Sequence, residues 1–63
     1  MEILRIIRRK PTTESFIEVV LAEVRSCLTP FVTWLYNKKT GGYALGHYFT
    51  SLGDAEADFW RRS

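Results

Sequence analysis

The chain reads as a single α+β domain over residues 1–63, in the order β-α-β-β-α: a three-stranded antiparallel sheet with two helices on one face. Three observations predict this class. Two β-branched and aromatic runs, Phe31–Tyr36 and Tyr43–Phe49, flank a polar, glycine-ended turn. The pattern Ser51-Leu52-Gly53-Asp54 follows at once and opens a capped helix. Phe16–Leu28 carries apolar residues at helical spacing.

The first element is a short strand. Ile3, Leu4, Ile6 and Ile7 are strand formers, and the arginines between them suit an edge, where charge deters unwanted pairing. A helical start is the alternative. Lys10-Pro11-Thr12-Thr13 breaks the pattern and offers Thr12 or Thr13 as a helix cap, with Glu14 in the first turn.

The second element is a helix from Phe16. At about 100° per residue, Phe16, Ile17, Val20, Leu21, Val24, Cys27 and Leu28 fall within an arc of about 140°. Glu18, Ala22, Arg25 and Ser26 lie opposite. Thr29-Pro30 ends it, because the residue before proline is pushed from helical geometry.

The hairpin comes next. Lys38-Lys39-Thr40-Gly41 is read as its loop, with Gly41 at positive φ. This register pairs Asn37 with Gly42, Tyr36 with Tyr43 and Trp34 with Leu45. One face then holds Val32, Trp34, Tyr36, Tyr43, Leu45, His47 and Phe49. The other holds Phe31, Thr33, Leu35, Ala44, Gly46 and Tyr48. The first is bulkier and is assigned to the core beneath both helices. A slip of one residue would scramble both sets. In the last helix Leu52, Ala55 and Phe59 form the inward seam. The expected core is Phe16, Val20, Val24, Trp34, Leu45, Phe49 and Phe59.

Composition bounds the function. A domain of 63 residues buries only about 60% of the surface its unfolded chain exposes, so its core is marginal. Nine aromatic residues then leave apolar surface for a partner or a second copy to cover. The net charge of +2 is mild for a dedicated nucleic-acid binder. Arg5, Arg8, Arg9 and Lys10 crowd the start, Lys38 and Lys39 the hairpin tip. One cysteine excludes an intramolecular disulfide. Neither a leader pattern nor a membrane-length apolar run is present, so a cytoplasmic protein is expected.

No residues stand at catalytic, metal-ligand or cofactor spacing, and no enzyme, metal or cofactor is expected. His47 lacks partners at motif spacing and reads as a partly buried, hydrogen-bonded histidine. Cys27 continues the apolar stripe and reads as a small buried hydrophobe. Gly41-Gly42 lacks the following Lys-Ser/Thr of a phosphate loop. Phe31, Leu35 and Tyr48 would stand on the uncovered sheet face, with Ala44 and Gly46 between them, as protein-interaction candidates. Arg8, Arg9, Lys38 and Lys39 are the phosphate-contact candidates, with Tyr48 as a stacking ring.

Leu45-Gly46-His47-Tyr48-Phe49-Thr50, with Ala55 and Phe59 beyond, resembles the hairpin-to-helix part of the plant ethylene-response-factor DNA-binding domain. There too a Leu-Gly strand leads through Phe and Thr into an Ala-rich helix. This chain departs by an extra residue before Phe49, by the helix expected ahead of the hairpin, and by lacking arginine-rich hairpin strands. No DNA contact is carried over. The helix-strand-strand-helix order is also similar to double-stranded-RNA-binding domains, whose lysine-rich entry to the last helix is replaced by the acidic Ser51–Asp58. The expectation is therefore a non-catalytic protein that binds a protein partner, or itself, through its sheet face. Nucleic-acid binding is the alternative.

Overall fold

The computed structural model describes residues 2–62. Its strands are β1 (Ile3–Pro11), β2 (Ile17–Val24), β3 (Phe31–Asn37) and β4 (Gly42–Phe49), and its helix is α1 (Leu52–Arg61). The strands form one antiparallel meander in the order β1-β2-β3-β4. The α+β class and the antiparallel sheet agree with the sequence reading. Four strands and one helix replace the expected three and two.

The expected helix over Phe16–Leu28 is β2 and the loop after it. The cause lies in where β2 sits. Val20, Ala22 and Val24 face one side of the sheet, Val19 and Leu21 the other, and all five are buried. A central strand covered on both faces is apolar throughout, so helical spacing can be picked out of it. Its β-branched content favours the strand. Thr12 caps no helix. Its hydroxyl accepts from the Glu14 amide at 3.1 Å and donates to the Ile17 carbonyl at 2.9 Å, closing the β1–β2 turn.

The other elements stand as read. β1 is an edge strand. Gly41 has φ 75°, and its amide donates to the Asn37 carbonyl at 2.7 Å. Asn37 pairs with Gly42, and Tyr36 with Tyr43. The Ser51 hydroxyl accepts from the Asp54 amide at 3.1 Å and caps α1. Ala55 and Phe59 are buried against Val19 and Leu21, with Ile7, Phe31, Leu35, Phe49 and Leu52 around them.

The face assignment is reversed, since α1 covers the side of Phe31 and Leu35, and a bulge redistributes the end of β4. Leu35 pairs with Ala44 and Thr33 with His47, so Leu45 and Gly46 together oppose Trp34. Leu45 takes φ 55° and is 68% exposed, so it is no core residue. The extra residue shifts the alternation of everything after it. His47 and Phe49 join Thr33 and Phe31 beneath α1, whereas Tyr48 joins Val32, Trp34, Tyr36 and Tyr43 on the face without a helix. Of the remaining expected core, Val20, Val24, Trp34 and Phe59 are buried, and Phe16 and Phe49 partly so.

Candidate protein-interaction face

The uncovered face is built in two tiers. Its floor is Val20, Ala22, Val24 and Val32, fully buried beneath larger neighbours, with Ile3 packed at one margin. Above it runs an aromatic row. Tyr36 and Tyr43 lie 4.9 Å apart, Tyr43 and Trp34 4.8 Å, and Trp34 meets Tyr48 edge-on at 6.5 Å. These spacings suit tilted and edge-to-face pairs, so the rings support one another without a covering helix. Trp34 is only 8% exposed, whereas Tyr43 and Tyr48 are 41% and 46% exposed.

Gly46 makes this row possible. A Cβ on Gly46 would lie 2.8 Å from Trp34 Nε1 and 3.0 Å from both Trp34 Cδ1 and Tyr48 Cε1. The indole therefore occupies space that only a glycine leaves free. The bulge that turns Tyr48 outward also puts this glycine under the indole.

Of the interaction candidates, Tyr48 stands on the uncovered face. Phe31 and Leu35 do not, since both pack beneath α1. The phosphate-contact candidates are also divided. Arg9 and Lys38 approach Glu18, at 3.8 and 3.9 Å, at the hairpin end of the aromatic face. Lys39 lies over the Phe16 ring, 4.3 Å from its centroid. Arg8 belongs to the helix side, paired with Glu56 at 3.5 Å and set over the Trp60 ring. The structure thus gathers Arg9, Lys38, Lys39 and Tyr48 around one face and leaves Arg8 on the other. Sequence reasoning placed Trp34, Tyr36 and Tyr43 beneath the helices and so missed them as residues of the uncovered face. Gly46 was the available signal, since a glycine inside a strand marks a bulge or a close approach.

A polar cluster lies on the helix side. Asp58, buried on α1, accepts from the Thr33 hydroxyl at 2.6 Å and from His47 Nδ1 at 2.9 Å, both on the same oxygen. Arg61 approaches its other oxygen at 3.4 Å, and Arg62 donates to the Thr33 carbonyl and hydroxyl at 3.0 Å. Burial by itself pushes the Asp58 carboxyl up, but the donors Thr33, His47 and Arg61 outweigh it and hold it below its ordinary value. The cluster links α1 to β3 and β4. His47 is hydrogen-bonded, as expected, through a half-exposed ring. Cys27 is exposed in the β2–β3 loop rather than buried, because that segment is not helical.

Among the described residues, no three His, Cys, Asp or Glu side chains converge on a metal position, and no pocket opens. Nor is any helix long and apolar enough to cross a membrane. Neither a protein-family model, nor a curated protein, nor a solved structure matches this chain.

Proposed function

We propose that this chain is a non-catalytic interaction protein that docks a protein partner on the aromatic face of its sheet. The observation that carries the reading is the row Tyr36–Tyr43–Trp34–Tyr48 on the face that α1 leaves uncovered. Tyrosine and tryptophan are the side chains most enriched at binding hot spots, where they give large contact area for little conformational entropy. The rings are already locked against one another, so little ordering remains to be done on binding.

Size argues against a permanent dimer through this face. Strands spaced about 4.8 Å apart and rising about 3.3 Å per residue give this four-stranded face a footprint of about 500 Å². Two copies face to face would bury about 1,000 Å², the lower limit for a stable complex. Nucleic-acid binding is the second reading, favoured by tyrosine rings beside Arg9, Lys38 and Lys39. It ranks second because Arg8 lies on the opposite face and the cationic side chains at the aromatic face gather at one end.

The test places a photo-crosslinking amino acid at Tyr43 or Tyr48 and, as control, at Ala57 on the exposed side of α1. Adducts are expected in the source cell from the two sheet positions alone. Adduct mass separates a foreign protein from a second 7.3 kDa chain, and nuclease treatment identifies nucleic acid. Equal labelling from Ala57, or none from the sheet positions, would refute the reading.

A further inference from the structure

The charges of this chain are not spread evenly over the fold. The two hairpin turns sit together at one end of the sheet: the Lys38 amide donates to the Phe16 carbonyl at 2.8 Å, and the Lys39 ammonium lies over the Phe16 ring. Arg9, Lys38 and Lys39 gather at this end around Glu18, whereas Lys10 turns to the helix side, where its ammonium donates to the Trp60 carbonyl at 3.2 Å. Three cationic side chains thus meet the two acids of this end, Glu14 and Glu18, and leave it positive. Pairing tells the same story. Elsewhere Arg5 holds Glu23 at 2.8 Å and Arg25 holds Glu2 at 2.9 Å. Here Arg9 and Lys38 share one carboxylate, each near 4 Å, and Lys39 has an aromatic ring in place of an acid.

We infer that the aromatic face takes an acidic, apolar segment of a protein partner, its side-chain anchors on the rings and its carboxylates at the Arg9–Lys38–Lys39 end. The inference rests on the interaction reading above and names the chemistry of the occupant. The aromatic row runs from Tyr36 and Tyr43, beside the cationic end, to Tyr48, opposite Val32. One bound segment can therefore meet both features. Its carboxylates would relieve the competition for Glu18, and complementary charge raises the association rate and fixes direction. A polynucleotide needs cations along its whole track, whereas the Tyr48 end of this face is apolar. A second copy would bring a second cationic end and no surplus of acid.

The experiment pans a random peptide library on the intact protein and on three variants: Lys38→Glu/Lys39→Glu, Lys38→Gln/Lys39→Gln and Tyr43→Ala/Tyr48→Ala. Both lysines are exposed turn residues, so the charge variants retain the fold. Peptides combining Asp or Glu with aromatic or aliphatic residues are expected from the parent. The strongest, synthesised with its acids intact and with each changed to Lys, should bind the parent about tenfold tighter in the acidic form. The Glu variant should reverse that order, the Gln variant should abolish it, and the Tyr variant should lose both peptides. Peptides without charge bias that still need Tyr43 and Tyr48 would overturn the acidic partner and leave the interaction face standing. Peptides indifferent to both tyrosines would overturn the face itself. Failure to enrich any peptide would overturn the inference alone, since the crosslinking test of the face is independent of peptides.

Discussion

Gly46→Ala is the sharpest probe of the aromatic face. The new Cβ would lie 2.8 Å from Trp34 Nε1 and 3.0 Å from Tyr48 Cε1, closer than side-chain carbons approach such atoms. The indole cannot give way cheaply, because Trp34 is 8% exposed and already in contact with Tyr43. Forcing an extra methyl into such a site costs about 1–3 kcal/mol. A domain of 63 residues has only about 3–9 kcal/mol in all, so the loss is a large fraction. It should lower Tm by about 4–8 °C per kcal/mol. Gly53→Ala is the control. Nothing lies within 4 Å of its added carbon, and the position is helical, so it should be neutral or stabilise by up to about 1 kcal/mol. The assay is thermal and urea unfolding in a Trp60→Phe background, where Trp34 is the only tryptophan and its emission also reports displacement of the indole. A Gly46→Ala protein that melts with its parent and keeps the parent's emission would refute the packing argument.

Three further outcomes follow from the same geometry. Phe59→Ala empties the space between α1 and the Val19–Leu21 strand and should cost about 3–5 kcal/mol, unfolding much of the population at 37 °C by circular dichroism. The Asp58 carboxyl titrates lower in the folded than in the unfolded chain, so its stabilisation is complete above the ordinary carboxylate range. It is lost as pH falls through the folded value, below 3.8. Urea midpoints from pH 7 to pH 3 should therefore fall less steeply for Asp58→Asn than for the parent, and equal slopes would contradict the assignment. Leu45→Gly removes an exposed side chain from a left-handed backbone and should be neutral or raise stability by up to about 1 kcal/mol, whereas Leu45→Val at the same φ should lower it.

Local signals settle local structure here. The turn at Asn37–Gly42, the cap at Ser51 and the seam Leu52, Ala55 and Phe59 are legible because each depends on residues close together in sequence. The edge character of β1 is legible from its interleaved arginines. β2 is not, because its burial on both faces comes from strands and a helix distant in sequence. A run such as Ile17–Val24 satisfies a helical or an extended pattern until those partners are known. The sequence by itself determined an α+β domain with a hairpin leading into a capped helix, and an aromatic surplus too large for so small a core. Tertiary structure decided which side of the sheet carries that surplus. For the end of β4 the deciding event is one bulged residue, Leu45, which inverts the alternation after it. Strand patterns count in twos, so a single extra residue exchanges the sides of His47, Tyr48 and Phe49, and the packing of α1 on Val19 and Leu21 decides which side is covered.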